Sequence, residues 1–231
     1  MVKDQSYIVR AEAARCRGRI YELLLRVFAR LPDNTLIQEI TSQSFHDFLD
    51  TGCGIGSLRL REAITNIKLY CSAMESRTQE EILNDLAVDR TRLLRATGDR
   101  NLKPPYESLY KSIGSRNDTA AAVKSFYRRT GLLPDENISE MLDYMCVELD
   151  FMYQLCLREV EEWSSGRDAT TTLIHEDEFL REHLGSWLGD FCAQAEKYAR
   201  TAFYRGFLVV LDVFIGIEME YLQSLMMPTA E

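Results

Sequence analysis

The sequence lacks the residue patterns on which most catalytic and metal sites depend. Its 3 His and 6 Cys fall into no metal-ligand spacing, and no CxxC pair occurs. It also has no GxxxxGK[ST] phosphate loop, no GxSxG nucleophile motif and no dinucleotide-loop glycine spacing. The segment 175–179, HEDEF, begins like the HExxH zinc motif, but Phe179 occupies the second histidine position. We therefore expect a protein that is not an enzyme and holds no metal.

Proline, glycine and long apolar runs are also scarce. There are 5 Pro and 12 Gly in 231 residues and no low-complexity tract, so we expect an ordered chain. The N-terminal residues carry charges throughout, which is not typical of a secretory signal. The most apolar stretch, 203–219, contains Arg205, Asp212 and Glu218 and is too charged for a membrane span. We predict a cytoplasmic chain with reduced cysteines and no stable membrane insertion.

Positive charge is in the minority, and charge is unevenly placed. The formal net charge of -9 disfavours nucleic acid and favours basic partners. Residues 135–162 alone are net -8, whereas residues 86–116 are net +4. The simpler interpretation of both segments is a solvated helix face. The alternative is an acidic surface for a basic peptide beside a basic surface for an anionic group.

Apolar residues recur with the period of a helix along the chain. Apolar residues recur every three or four positions from 8 to 31, and no run of alternating apolar and polar residues indicates a strand. Asp33, Ser57 and the pair Thr78 and Glu81 have the chemistry and spacing of helix N-terminal caps. We predict an all-α fold of about ten helices.

A connector at 132–137 follows a glycine that stops one helix and precedes a long acidic helix. It divides the predicted fold into an N-terminal helical subdomain, 1–131, and a C-terminal helical subdomain, 138–231. The two subdomains form a single helical domain joined by this hinge.

The long helix is predicted over 139–164. On a helical projection Asp143 lies opposite the apolar stripe with Asp150 and Glu161, so we expect it to face water. Glu148 falls between the main apolar stripe and the flank that widens it. A carboxylate there is expected to be partly buried and therefore to need a partner.

His183 and Trp187 lie one helical turn apart in a later segment. The favoured interpretation is structural: His183 bonds a buried carbonyl or carboxylate while Trp187 fills the core. The alternative is an aromatic pair that lines a peptide groove.

Several segments in order resemble the TorD/DmsD family of redox-enzyme maturation chaperones, which is more distantly related to the NarJ chaperones. Residues 88–94, VDRTRLL, and 104–110, PPYESLY, are similar to one family block. Residues 140–152, EMLDYMCVELDFM, and 179–187, FLREHLGSW, resemble two more. Residues 19–28, RIYELLLRVF, look like the first family helix.

This resemblance implies an all-helical chaperone of anaerobic respiration, present as a monomer or a domain-swapped homodimer. Members of the family bind the twin-arginine signal peptide on the precursor of a molybdopterin oxidoreductase. They hold the apo catalytic subunit ready for cofactor insertion and delay its export. The resemblance implies no resident cofactor. At most, it implies a weak contact with guanine nucleotide or with the molybdopterin cofactor.

The peptide site predicted from this resemblance combines carboxylates for the arginines with aromatic side chains for the apolar stretch behind them. The carboxylates are Glu140, Asp143 and Glu148, and the groove residues are Tyr106, Tyr110, Tyr144 and Trp187. Glu107, Ser108 and His183 complete the site. The chain departs from the family pattern at Met141 and Tyr144, where the family usually has Pro and His. Tyr144 cannot become cationic near neutral pH, which argues against a pH-sensitive role for this position.

Three other interpretations remain open at the level of sequence. One is a general helical adaptor, and a second is a NarJ-like nitrate reductase assembly chaperone. The third is a small helical enzyme that uses Glu148 and His183.

Overall fold

A computed structural model describes residues 2–52, 57–95, 101–111, 116–133 and 141–226. Within these ranges the fold is all-α, as predicted, and contains no β-strand beyond one isolated bridge. The helices are α1 Val2–Phe28, α2 Asn34–Ile40, α3 Gln43–Gly52, α4 Leu58–Ala73, α5 Gln79–Arg95, α6 Glu107–Tyr110, α7 Arg116–Thr130, α8 Met145–Ser164, α9 Thr170–Glu182, α10 Leu188–Tyr198 and α11 Ala202–Met226. Short 3₁₀ turns follow α4 at Met74–Ser76 and α9 at Leu184–Ser186.

The predicted helix caps are confirmed. The Asp33 Oδ1 atom accepts a hydrogen bond of 2.8 Å from the Leu36 amide at the start of α2. Ser57 Oγ accepts one of 3.4 Å from the Leu60 amide at the start of α4. Thr78 and Glu81 form a reciprocal capping box, in which each side chain accepts from the other's amide.

The long acidic helix begins later than predicted, and this changes the position of Asp143. α8 starts at Met145, after a turn in which Tyr144 has an extended backbone. Asp143 lies in that turn and is fully buried, so the expectation that it faces water is wrong. Glu148, expected to be partly buried, is fully buried. The acidic segment is therefore not simply a solvated face, although Glu161 is exposed as predicted.

The chain forms two compact units. Unit 1 contains residues 1–25, 106–187 and 216–231, and unit 2 contains residues 26–105 and 188–215. Each unit takes segments from both sides of the connector at 132–137, most of which lies outside the described residues. The division into subdomains at that hinge stays a prediction.

Unit 1 is organised around a buried arginine, Arg17 of α1. Its Nη1 atom lies 2.7 Å from Glu159 Oε2, and its Nε atom lies 2.9 Å from Glu218 Oε2. A third ion pair joins Arg17 to Glu176. We call these four residues the Arg17 cluster, and all of them are buried. One guanidinium thus links α1 to α8, α9 and α11 within unit 1.

In unit 2, the segment VDRTRLL at 88–94 has a structural role, because two of its charged side chains are buried and bond to other parts of the unit. The buried Asp89 carboxylate accepts hydrogen bonds from the Thr201 amide and hydroxyl, both 2.8 Å, at the start of α11. Arg90 Nε donates to the Phe28 carbonyl at 2.9 Å, at the end of α1. Since these two charges are buried, the basic segment 86–116 is not a continuous solvated face.

None of the helices in the described ranges combines the length and hydropathy that a membrane span needs.

Candidate functional site

The predicted site residues come together in unit 1, where the turn at 141–144 packs against α6. The Glu107 amide donates to the Asp143 carbonyl at 2.9 Å, and Tyr106 and Tyr144 form the isolated antiparallel bridge. The Ser108 amide donates to Asp143 Oδ2 at 3.1 Å. The extended backbone at Tyr144 permits this pairing, and α8 then carries Glu148 into the same region.

Glu107 lies at the centre of the site and is fully buried. His183 Nδ1 lies 3.1 Å from its Oε1 atom and 3.2 Å from its Oε2 atom. Lys111 Nζ, one turn along, forms an ion pair of 2.5 Å with Oε1. Burial by itself raises the pKa of Glu107, but the hydrogen bonds from His183 and Lys111 outweigh it, so the pKa is lowered. The structural interpretation of His183 as the partner of a buried carboxylate is confirmed.

Glu148 has a different environment from Glu107. Its Oε2 atom accepts a hydrogen bond of 3.1 Å from Trp187 Nε1, which is a neutral donor. Complete burial raises the pKa of Glu148 well above its usual range, and the negative charge of Glu107 raises it further. Glu148 is therefore more readily protonated than Glu107, whose pKa is lowered.

Two oxygen atoms of the site have no donor. Among the described residues, nothing donates to Asp143 Oδ1 or to Glu148 Oε1, although both atoms are buried. Buried acceptors without a donor are uncommon in folded proteins, because each forfeits its hydration. The cluster of Glu107, Asp143, Glu148, His183 and Trp187, called here the Glu148 cluster, thus has unused capacity to accept hydrogen bonds.

Aromatic side chains surround the Glu148 cluster. The rings of Tyr106 and Tyr144 have centroids 5.1 Å apart, and those of Tyr110 and Trp187 are 5.4 Å apart. Tyr144 and Trp187 are buried, whereas Tyr106 and Tyr110 are partly exposed. Only the outer half of the predicted groove is therefore at the surface, together with Ser108 and Lys111.

The structure brings together nine of the ten predicted site residues, and Glu140 lies outside the described residues. Lys111 and Tyr127 were missed. The spacing of four residues between Glu107 and Lys111 within one helical turn is a pattern that could have revealed Lys111. Tyr127 has no such pattern: its hydroxyl donates to the Leu142 carbonyl at 3.1 Å, fifteen residues along the chain. In the described ranges, no group of His, Cys, Asp or Glu side chains is arranged to hold a metal ion.

Comparison with known proteins identifies the family. The family profile described as nitrate reductase delta subunit matches residues 57–193, which is more than half of the chain. The chain belongs to this family of TorD- and NarJ-type chaperones. The predicted resemblance is thereby confirmed, and membership places the chain among chaperones and not among enzymes.

Curated relatives of this family agree over nearly the whole chain. The chaperone protein TorD of Vibrio parahaemolyticus is 25% identical over 209 residues, covering 89% of this chain and 94% of the relative. The perchlorate reductase assembly chaperone protein of Dechloromonas aromatica is 22% identical over 232 residues, covering 95% of each chain. The TorD chaperone of Shewanella pealeana is 22% identical and covers 90% of each.

Proposed function

We propose that this chain is a cytoplasmic chaperone for a molybdopterin-dependent oxidoreductase, binding the twin-arginine signal peptide and the apo catalytic subunit. In this role it assists cofactor insertion and delays export until the enzyme is mature. Family membership supports the general role, since the relatives are chaperones and one is named for reductase assembly. The observation that carries the peptide site is the Glu148 cluster, in which two buried carboxyl oxygens accept no hydrogen bond from the described residues.

The chemistry of the cluster suits a guanidinium group. In Asp143 and in Glu148, one carboxyl oxygen accepts a hydrogen bond from a neutral donor, and the other accepts none from the part of the chain that the structure describes. A guanidinium has five N–H donors in a planar fork and can bind two carboxylates at once. Charge-assisted hydrogen bonds in a buried setting are stronger than the exposed ion pairs of a surface, which contribute at most about 1 kcal/mol.

Access to the cluster requires movement of the segment 106–111. α6 is a single turn of four residues, and the amides of its first two residues, Glu107 and Ser108, donate to Asp143. So short a helix has little stability of its own, because the hydrogen bonds of one turn do not offset the unfavourable free energy of helix nucleation. We propose that α6 moves outward when the peptide binds, and that Tyr106 and Tyr110 then contact the apolar stretch behind the arginines. Glu140 is proposed as a further carboxylate from its position in the sequence.

The client is proposed to be a reductase of the DMSO or TMAO type. The description of the matching family as nitrate reductase delta subunit favours a second candidate, a nitrate reductase served in the NarJ manner. No resident cofactor takes part in the proposal, and any contact with guanine nucleotide or the molybdopterin cofactor would be weak. The proposal is compatible with a monomer or a domain-swapped homodimer.

A maturation assay tests the role. A candidate reductase precursor is produced anaerobically in cells with the chain, without it, or with Asp143→Asn, and molybdenum per purified reductase is measured. We expect full loading with the unaltered chain and with the matched control Glu161→Gln, which changes an exposed acid of α8, and reduced loading without the chain or with Asp143→Asn. Equal loading with and without the chain, for both reductase types, would contradict the proposal.

A further inference from the structure

The carboxylate of Glu107 is already paired with a cation from its own chain. Lys111 Nζ lies 2.5 Å from Glu107 Oε1, and the same ammonium donates a hydrogen bond to the Glu182 carbonyl at the end of α9. The Glu107 side chain is fully buried, whereas the Lys111 side chain is 27% exposed. Lys111 therefore connects the surface to the buried carboxylate, and its ammonium occupies the position that a cation from outside would take.

We propose that a guanidinium group of the client peptide replaces the Lys111 ammonium on Glu107, so that Lys111 is an internal competitor for the peptide site. This inference rests on the proposed function and deepens it, because it names a carboxylate that receives an arginine and the group that occupies it in the free protein. The Lys111 ammonium moves into solvent as the guanidinium arrives. No covalent bond changes, and one cation takes the place of another.

The chemistry of the two cations favours this exchange. An ammonium is a compact, strongly hydrated charge on a flexible stem, whereas a guanidinium is planar and more weakly hydrated. Lys111 therefore regains strong hydration when it returns to water, and a guanidinium loses less hydration when it enters the site. A guanidinium can also donate two parallel hydrogen bonds to one carboxylate, whereas the ion pair of Lys111 is formed with Oε1.

Lys111 also ties the segment that must move for the peptide to enter. It directly follows α6, and its contact with the Glu182 carbonyl joins this segment to the end of α9. Release of Lys111 removes that connection, which favours the movement of α6 proposed for peptide entry. The contacts of His183 Nδ1 with the Glu107 carboxylate, at 3.1 and 3.2 Å, do not involve Lys111 and can orient the carboxylate for the arriving group.

A purely structural role for Lys111 predicts different results when the residue is substituted. If Lys111 only stabilised the buried Glu107 carboxylate, its removal would weaken peptide binding, and an arginine in its place would leave binding unchanged. An internal competitor has the opposite effect on affinity. Its removal strengthens peptide binding, and an arginine, which holds a carboxylate more firmly than a lysine does, weakens it.

Lysine labelling of the unaltered chain tests the exchange directly. A twin-arginine leader peptide, blocked at its N-terminus and free of lysine, is added at a saturating concentration. The chain is then acetylated with an amine-reactive ester, and mass spectrometry gives the rate at each lysine. We expect Lys111 to react about threefold faster with peptide than without it, because its ion pair is lost. Lys124, an exposed lysine of α7, should keep its rate. Slower or unchanged labelling of Lys111 in the complex would overturn the inference.

Two substitutions measure the competition as a change in affinity. By fluorescence anisotropy, Lys111→Met should bind the peptide about three- to fivefold more tightly than the unaltered chain, and Lys111→Arg about threefold more weakly. Lys124→Met removes the same charge from the surface and should bind like the unaltered chain. An equal gain in Lys124→Met and Lys111→Met would assign the effect to net charge and overturn the inference.

The outcomes separate this inference from the proposed function. Weaker binding by Lys111→Met overturns the competition and leaves the proposed function standing, because the unaltered chain still binds the peptide. Failure of the unaltered chain to bind any twin-arginine peptide overturns both. The labelling experiment uses the unaltered chain, so misfolding of Lys111→Met does not obscure the result.

Discussion

Unit 1 contains two buried acidic clusters, and they are neutralised differently. The Arg17 cluster and the Glu148 cluster each hold three buried carboxyl groups beside one permanently cationic side chain. In the Arg17 cluster that cation is a guanidinium, and it reaches all three carboxyl groups. The Glu148 cluster has the ammonium of Lys111 at its edge, and its ion pair is with Glu107 alone.

The kind of cation beside the carboxyl groups indicates the role of each cluster. A planar guanidinium can serve several carboxylates at once, whereas an ammonium on a flexible stem acts as a point charge. In the Arg17 cluster each of the three carboxyl groups has the guanidinium as a partner, although Glu176 Oε1 has no hydrogen-bond partner among the described residues, and this pairing fits a structural role. In the Glu148 cluster, the donors that the described residues supply to Asp143 and Glu148 are neutral, which fits a site that accepts a guanidinium from a partner. The filled cluster thus illustrates the arrangement proposed for the bound peptide.

Removal of the guanidinium of Arg17 should produce the largest effect. Arg17→Met leaves three buried carboxyl groups without a cation, and we expect a loss of about 3–5 kcal/mol of unfolding free energy. Urea denaturation followed by circular dichroism measures it. Arg15→Met, which changes an exposed arginine paired with Glu12, should stay within about 0.5 kcal/mol of the unaltered chain. A loss below about 1 kcal/mol for Arg17→Met would show that the cluster is not a structural centre.

The Arg17 cluster should also make stability depend on pH. Burial raises the pKa of Glu176 to about 8, although Arg17 lowers it. Since the unfolded pKa is about 4.3, the folded state retains a proton that the unfolded state loses between these values. The stabilisation is therefore complete below the unfolded pKa and is lost as pH rises towards 8. The slope is up to about 1.4 kcal/mol per pH unit.

Denaturation at pH 6, 7 and 8 tests this dependence. The unfolding free energy of the unaltered chain should fall across the series, and Glu176→Gln should have a shallower slope because its amide does not titrate. The matched control is Glu178→Gln on α9, a neighbour that pairs with Arg129 at the surface. Equal slopes for the unaltered chain and Glu176→Gln would show that Glu176 is not the origin of the pH dependence of stability.

Two tryptophans give a matched comparison of the clusters. Trp187 Nε1 donates to Glu148 and Trp163 Nε1 donates to Glu159 at 2.9 Å, and both side chains are buried. Glu159 keeps Arg17 as a donor when the indole is removed, whereas Glu148 loses its only donor among the described side chains. Trp187→Phe should therefore cost about 1 kcal/mol more than Trp163→Phe in denaturation experiments. The reverse order would contradict the comparison.

Asp143→Asn should have the smallest effect on stability. The asparagine oxygen can still accept the Ser108 amide, so we expect a loss of less than about 1 kcal/mol. The melting temperature should change by only a few degrees at constant buffer and concentration. A larger change would mean that the charge of Asp143, and not only its oxygen, supports the fold.

Local rules predicted most of the helices but only part of the site. The caps at Asp33, Ser57 and Thr78 each depend on a residue three positions away, so a sequence pattern can reveal them. The start of α8 depends instead on pairing between Tyr106 and Tyr144, which are 38 residues apart. For that reason Asp143 was expected at the surface and is buried.

The Arg17 cluster was not predictable from the sequence for the same reason. Its carboxylates lie between 142 and 201 residues from Arg17, and no local periodicity connects them. His183 was different, because a histidine on an apolar face needs a polar partner wherever that partner lies in the sequence. Its need for a buried partner could be predicted, and the identity of that partner, Glu107, could not.

The binding of a twin-arginine peptide to Asp143→Asn tests the central claim most directly. A fluorescent leader peptide is titrated with the unaltered chain, Asp143→Asn and Glu161→Gln, and anisotropy gives each dissociation constant. Loss of one charge-assisted partner should weaken binding at least about tenfold in Asp143→Asn, while Glu161→Gln, with the same loss of charge at the surface, should bind like the unaltered chain. Equal affinity of Asp143→Asn and Glu161→Gln would contradict the assignment of the peptide site to the Glu148 cluster.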